Sequence, residues 1–213
     1  MLKIRQLQKK KQEEAAAAAA ALASAAAISD SSSTISSHTR SADGHNNNSV
    51  GYNSSTKITP AQLRLQKDIT ELDIPRSIKL TFPNPADLFN FQLSICPQEG
   101  YYQSGTFRFT VEVNNNFPME PPKIKCMDKI YHPNIDLSGN VCLNILREDW
   151  SPVLNLNSVL IGLNFLFLEP NPNDPLNKDA ANVLSKNKAL FTKNVKKSMR
   201  GGYIDDEYYD KII

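Results

Sequence analysis

Beyond residue 59, the spacing of apolar side chains predicts a helix, then strands, then further helices. The first helix runs from about Pro60 to Leu72, because Thr59 and Pro60 form a helix start signal and Leu65 and Ile69 follow at helical intervals. Apolar and polar residues then alternate, which is the period of a strand with one buried face. The predicted strands are residues 78–82, 89–95, 107–113 and 123–127.

Short connections rich in proline and glycine separate these strands, which predicts an antiparallel meander rather than crossover units. Helical spacing returns over about 157–168 and again over 178–186 and 188–199, interrupted by the proline-rich stretch EPNPNDPL. A helix, four strands, an irregular segment and more helices, in this order, predict an α+β fold.

The first 14 residues, MLKIRQLQKKKQEE, place a few apolar side chains among charged ones. Leu2, Ile4 and Leu7 lie on one edge if this segment is helical. Helices this short rarely persist unaided, so a frayed, solvated terminus is the alternative. A groove on a partner protein would stabilise the helical form.

A spacer of low complexity follows the terminal peptide. Eleven of residues 15–27 are alanines, and residues 28–59 are rich in serine, asparagine and threonine, as linkers are. We therefore predict three parts: a terminal peptide over 1–14, a spacer over 15–59 and an ordered domain over 60–213.

The charge distribution argues against a nucleic-acid-binding domain. Residues 1–59 hold 7 of the 24 Lys+Arg and 4 of the 22 Asp+Glu, so the remaining residues are close to neutral. A domain that binds nucleic acid normally carries a strongly basic face. No nucleic-acid partner is expected.

The cysteines are Cys96, Cys126 and Cys142, an odd number without a CxxC pair, and His132 is the one histidine beyond residue 59. Neither a disulfide framework nor a zinc cluster is expected from this pattern. Unpaired thiols are typical of reducing compartments, which predicts the cytoplasm or the nucleus. A run of about 18 strongly apolar residues is absent, so no membrane segment is expected.

Residues 131–150, YHPNIDLSGNVCLNILREDW, follow no regular period, and long irregular segments inside compact domains are more often functional than not. The thiolate of Cys142 would be a good nucleophile and a good leaving group, and on an irregular segment it can be exposed. These properties suit a carrier of an activated acyl group. The alternative is that Cys142, between Val141 and Leu143, is a small buried hydrophobe.

His132, Pro133 and Asn134, followed after seven residues by Cys142, resemble the active-site signature of the ubiquitin-conjugating enzymes. The resemblance continues in FPMEPPKIKC upstream and in DWSPVL and EPNPNDPL downstream, so it spans roughly residues 60–200. VCLNILREDW, FLFLEPNPNDPLN, SMRGGYI and the leading MLKIRQLQKKKQEE are similar to the neddylation branch of that family, whose modifier is attached to cullins. The resemblance implies the ubiquitin-conjugating-enzyme fold and a thioester on Cys142.

The residues around the cysteine have candidate roles and plainer alternatives. A histidine invites a general-base interpretation, but the resemblance implies that His132 and Pro133 brace the loop. Asn134 is a candidate donor to the oxyanion formed when an amine attacks a thioester, or else it only stabilises a turn. Asp174 matches the family position at the mouth of the site, where it would desolvate the attacking lysine or accept its proton. Its alternative is a plain turn aspartate.

The resemblance also implies the partners of the reaction. They are a ubiquitin-like modifier held as a covalent thioester, its heterodimeric activating enzyme, a RING-type ligase with a co-ligase, and a cullin substrate. No metal or small cofactor is expected, since ATP would be used by the activating enzyme. Rival functions are the same chemistry with ubiquitin as cargo, and a catalytically inactive binding module of this fold. Partner docking is assigned to Leu2, Ile4, Leu7, Arg64, Met119, Ser151 and Pro152.

Overall fold

The computed structural model describes residues 58–213, and the terminal peptide and the spacer predicted from the sequence lie outside these described residues. The helices are α1 (Pro60–Thr70), α2 (Leu156–Leu168), α3 (Lys178–Lys186) and α4 (Lys188–Met199). The strands are β1 (Ile78–Thr81), β2 (Asn90–Ile95), β3 (Phe107–Glu112), β4 (Lys123–Cys126), β5 (Arg200–Ile204) and β6 (Glu207–Lys211).

Helix α1 begins at the predicted start signal and ends two residues before the predicted end. The hydroxyl of Thr59 accepts a hydrogen bond from the backbone N–H of Gln62 at 3.1 Å, and Pro60 occupies the first turn, where no N–H is needed. Beyond Thr70 the chain leaves the helix, although Leu72 still packs against the core. The apolar spacing therefore extended past the hydrogen-bonded helix.

Strands β1 to β4 form one antiparallel sheet in sequence order, which confirms the predicted meander and the α+β class. Burial alternates residue by residue along β3, so one face of this strand is covered and the other is solvated. Phe107 on the covered face stacks on Phe167 of α2, with the ring centroids 4.5 Å apart. This contact packs α2 against the covered face of the sheet, and both rings belong to the hydrophobic core.

The sequence analysis did not anticipate the hairpin formed by β5 and β6. It packs beside the chain that leads to His132: the N–H of Asp210 donates to the carbonyl of Lys129 at 2.9 Å, and the N–H of Lys129 donates to Asp210 Oδ2 at 2.7 Å. Tyr209 meets Tyr131 edge-on, with centroids 5.7 Å apart. The C-terminal hairpin therefore fixes the start of the irregular segment.

Within residues 58–213, no helix combines the length and the apolar character needed to cross a membrane.

Candidate active site

His132 lies in the core, with its ring stacked on Tyr102 at a centroid distance of 4.9 Å. Its Nε2 is 2.9 Å from the carbonyl of Leu166, and its Nδ1 accepts the backbone N–H of Asn134 at 2.9 Å. Burial lowers the pKa of His132 from 6.5 to about 4, so the ring is neutral at physiological pH. Both ring nitrogens are engaged with the backbone, which favours the bracing role over the general-base role.

Pro133 and Asn134 connect two separate stretches of chain through their backbone carbonyls. The carbonyl of Pro133 accepts the N–H groups of Leu176 and Asn177, each at 2.9 Å. The carbonyl of Asn134 accepts the N–H of Cys142 at 2.8 Å. These bonds bring the segment that carries the cysteine beside the segment that carries Asp174.

The side chain of Asn134 is buried and fully engaged in hydrogen bonds, with 1% of the residue exposed. Its Oδ1 accepts the N–H of Asn171 at 2.9 Å, and its Nδ2 donates to the carbonyls of Asn171 at 2.8 Å and Asp174 at 3.2 Å. An oxyanion would have to compete with these carbonyls for the amide hydrogens. In this state the amide holds the loop of residues 171–174, and the predicted oxyanion role remains a prediction.

The thiol of Cys142 donates a hydrogen bond to Oδ2 of Asp174, with the two atoms 3.0 Å apart. Only 4% of Cys142 is exposed, so of the two possibilities left open by the sequence the structure shows the buried one. Val141 and Leu143 beside it are partly buried and pack against the core. Burial and the hydrogen bond to Asp174 raise the pKa of Cys142 to about 11, against the opposing effect of the Arg147 charge.

Arg147 belongs to the site, although the sequence analysis did not single it out. Its Nη2 lies 3.6 Å from Oδ2 of Asp174, the oxygen that also accepts the thiol of Cys142. The side chains of Arg147 and Asp174 are 48% and 52% exposed, so a half-solvated ion pair covers the thiol. The sequence signal that could have found it is a cation five residues after the candidate nucleophile.

The structure separates the predicted docking residues by exposure. Met119 is 71% exposed, Ser151 and Pro152 are partly buried, and Arg64 donates hydrogen bonds to carbonyls of its own chain. The three tail residues Leu2, Ile4 and Leu7 lie outside the described residues.

The other two cysteines have no comparable surroundings. Cys126 is buried, its thiol donates to the carbonyl of Asp128 at 3.2 Å, and burial raises its pKa to about 12. Cys96 is partly buried beside Gln98. Among the three thiols, the one that faces a half-exposed carboxylate is Cys142.

In a hydrolytic Cys–His pair the histidine takes the proton of the thiol. Here the thiol of Cys142 is bonded to the carboxylate of Asp174, and the neutral His132 is bonded to the backbone instead. This arrangement suits a thiol that accepts an acyl group and holds it until an amine arrives. The family profile described as "Ubiquitin-conjugating enzyme" matches residues 64–199. The chain therefore belongs to the ubiquitin-conjugating enzyme family, which confirms the class of transferase and the fold predicted from the sequence.

Named relatives are similar over most of their length. The chain is 58% identical over 163 residues to "NEDD8-conjugating enzyme UBC12" of Yarrowia lipolytica, covering 76% of this chain and 91% of that protein. It is 60% identical over 154 residues to "Nedd8-conjugating enzyme UbcE2M" of Drosophila melanogaster, covering 72% and 85%. The solved structure of "S. cerevisiae Ubc12" matches with a TM-score of 0.70 and 42% identity, covering 99% of this chain and 98% of that chain.

Proposed function

We propose that this protein is a NEDD8-conjugating enzyme, which accepts the modifier as a thioester on Cys142 and passes it to a substrate lysine. The observation that carries the proposal is the contact between the Cys142 thiol and Asp174 beside a braced His132-Pro133-Asn134 turn. The names of the Yarrowia and Drosophila relatives support NEDD8 as the cargo.

Loading is a transthioesterification. The sulfur of Cys142, as thiolate, attacks the carbonyl carbon of the thioester that joins the modifier to its activating enzyme. A new carbon–sulfur bond forms, the old one breaks, and the thiolate of the activating enzyme leaves. Because the pKa of Cys142 is raised to about 11, the thiol must give up its proton before it attacks, and the departing thiolate of the activating enzyme takes up a proton in exchange.

Discharge is an aminolysis. A neutral lysine amine attacks the thioester carbon, a carbon–nitrogen bond forms, and the thiolate of Cys142 leaves. A free lysine has a pKa near 10.4, so a group at the mouth of the site has to desolvate it or accept its proton. Asp174 is suited to this task because its side chain is 52% exposed and adjoins the sulfur. Asn134 is the candidate donor to the oxyanion, provided that one amide hydrogen leaves its backbone carbonyl.

The proposal extends to the partners and to the organisation of the chain. The proposed partners are a heterodimeric activating enzyme, a RING-type ligase with a co-ligase, and cullins as substrates. The domain organisation is a docking peptide over 1–14, a spacer over 15–59 and a catalytic domain over 60–213. Three unpaired cysteines support residence in the reducing cytoplasm and nucleus.

Variants of the nucleophile test the proposed chemistry. Cys142→Ala should abolish the adduct that thiol reagents cleave, whereas Cys142→Ser should accumulate an oxyester that resists them. Cys126→Ala is the matched control, since Cys126 is a buried thiol without a half-exposed carboxylate beside it. A thiol-sensitive adduct that persists in Cys142→Ala would show that another residue is the nucleophile.

Charging assays test the cargo. The protein is incubated with ATP and either the NEDD8 activating enzyme with NEDD8 or the ubiquitin activating enzyme with ubiquitin. We expect the thioester with NEDD8 and little with ubiquitin. Preferential charging by ubiquitin would assign the same chemistry to the other cargo, and charging by neither would identify an inactive binding module.

A further inference from the structure

Arg64 of α1 is bonded within its own chain on three sides. Its Nε donates to Oδ1 of Asp68 at 2.8 Å. Its Nη1 donates to the carbonyl of Pro152 at 3.0 Å, and its Nη2 donates to the carbonyl of Leu154 at 2.7 Å. The side chain is 26% exposed, and each of its three nitrogens donates to a group of its own chain. Arg64 thus ties α1 to the loop of residues 151–154.

Asp68, the partner of Arg64 on α1, makes a second connection between α1 and the chain that follows this loop. Its side chain is 4% exposed, and its second oxygen, Oδ2, accepts the backbone N–H of Leu156 at 2.9 Å. Leu156 is the first residue of α2. The buried carboxylate of Asp68 therefore binds both Arg64 and the start of α2. The start of α2 follows directly after the loop to which Arg64 is bonded. Arg64 and Asp68 together therefore bind the chain at Pro152, Leu154 and Leu156.

A second loop joins the same cluster. The guanidinium carbon of Arg64 lies 5.6 Å from the ring centroid of Phe117, and Phe117 lies 6.1 Å from Trp150. The indole N–H of Trp150 donates to the carbonyl of Pro118 at 2.9 Å. Met119, the next residue, is 71% exposed. The position of this exposed side chain therefore depends on a cluster to which Arg64 contributes.

We propose that Arg64 and Asp68 are positioning residues, which hold the loops of Met119 and of residues 151–154 in the arrangement that partners recognise. Arg64 then acts through these loops and not by touching the partner. The inference rests on the proposed function and on the prediction from the sequence that Met119, Ser151 and Pro152, in these two loops, are partner-docking residues. If Arg64 or Asp68 is replaced, the two loops lose these bonds and would have to become ordered when a partner binds. The entropy lost in that ordering weakens the affinity for the partner.

Asp68→Asn separates the positioning role from a direct contact. Asp68 is buried, so it has no means of touching a partner, and asparagine keeps its shape while removing the charge that pairs with Arg64. Arg64→Lys retains the positive charge but lacks the planar fork that reaches two carbonyls and a carboxylate at once. Asp73→Asn and Lys79→Gln, at exposed positions outside the cluster, are the matched controls.

The measurement is the rate of charging as the NEDD8 activating enzyme is titrated, beside discharge of the preformed thioester to free lysine. We expect Arg64→Lys and Asp68→Asn each to raise the half-saturating concentration about tenfold, with the maximal charging rate and the discharge rate preserved. The double variant should be no worse than either single one, because both break one unit. Thermal unfolding confirms that each variant is folded, and the controls should match the parent protein.

Two outcomes would overturn the inference. If Arg64→Lys weakens charging while Asp68→Asn behaves like the parent, Arg64 contacts the partner directly. If neither variant changes the half-saturating concentration, the cluster does not position the loops. Failure of the proposed function looks different: the parent protein itself would not be charged with NEDD8, and the same titration would be run with the ubiquitin activating enzyme.

Discussion

The sulfur of Cys142 and Oδ2 of Asp174 are 3.0 Å apart, in a hydrogen bond that joins residues 32 positions apart in the chain. This carboxylate stabilises the protonated thiol of Cys142. In the proposed reaction it would therefore oppose the loading step, which needs the thiolate, and support the discharge step, which needs a neutral amine. Arg147, 3.6 Å from this oxygen, moderates the first effect by favouring the thiolate.

Asp174→Asn should separate these two effects. Removing the negative charge lowers the pKa of Cys142 from its value of about 11, so alkylation of the free thiol at pH 8 should become about threefold faster or more. Discharge to lysine should slow on the order of a hundredfold, the size of a typical general-base contribution, and the deficit should shrink at higher pH. Alkylation is read at the Cys142 peptide by mass spectrometry.

The control for this experiment is Glu112→Gln, which removes an exposed carboxylate from the sheet. It should leave both rates unchanged. Slower alkylation in Asp174→Asn would contradict the effect of the carboxylate on the thiol, and unchanged discharge would restore the interpretation of Asp174 as a plain turn residue.

Asn134→Ala tests the side-chain amide that joins the His132-Pro133-Asn134 turn to the loop of residues 171–174. The variant leaves the N–H and the carbonyl of Asn171 without their partner, which should lower the free energy of unfolding by about 1–3 kcal/mol. We expect slow discharge with loading largely retained, and faster amide hydrogen exchange over residues 171–177. Asn173→Ala, an exposed asparagine in the same loop, is the control.

The exchange data distinguish the two roles of Asn134. Slow discharge with unaltered exchange would mean that the amide acts on the oxyanion and not on the loop. Equal loss of loading and discharge would indicate that the whole loop has collapsed.

His132 should make the protein sensitive to acid. Its pKa is lowered by burial from 6.5 to about 4, so between these values the unfolded chain binds a proton that the native protein does not. The free energy of unfolding should therefore fall as the pH drops from about 6.5 to about 4, by up to about 3 kcal/mol from this residue. Urea unfolding at a series of pH values measures the slope.

His132→Gln is the comparison, because glutamine keeps an N–H for the carbonyl of Leu166 but does not titrate. The variant should be less stable at pH 7 and should lose less of its stability on acidification. Parallel pH profiles for the two proteins would mean that other groups dominate the acid response.

Deleting residues 1–14 should slow charging at low concentrations of the activating enzyme and leave unassisted discharge to lysine unchanged. The reason is that a tethered second contact raises the effective concentration at the partner without touching the active site. Deleting residues 30–43, an equally long piece of the spacer, should matter much less, because the cost of closing a loop varies slowly with its length. Identical charging rates for both deletions and the parent protein, across a titration, would identify a passive tail.

Local patterns predicted most of the fold. Apolar spacing located α1 and the four strands of the sheet, and α3 and α4 have the predicted bounds. The hairpin of β5 and β6 was not predicted because RGGYI and EYYDK lack a clear alternation of apolar and polar residues. The hairpin is stabilised instead by distant partners, such as the contact between Tyr209 and Tyr131.

The sequence by itself indicated His132, Asn134 and Cys142 as candidate site residues, because the spacing from His132 to Cys142 is a local property of one segment, whereas Arg147 was found only in the structure. Only the tertiary structure decided what each of these side chains contacts and how deeply it is buried. Cys142 is buried, Asn134 is bonded to Asn171, and Arg64 is turned inward, and all three facts depend on chain segments far away in the sequence. Hydrogen-bond partners and burial are set by how elements pack, and a one-dimensional pattern contains neither.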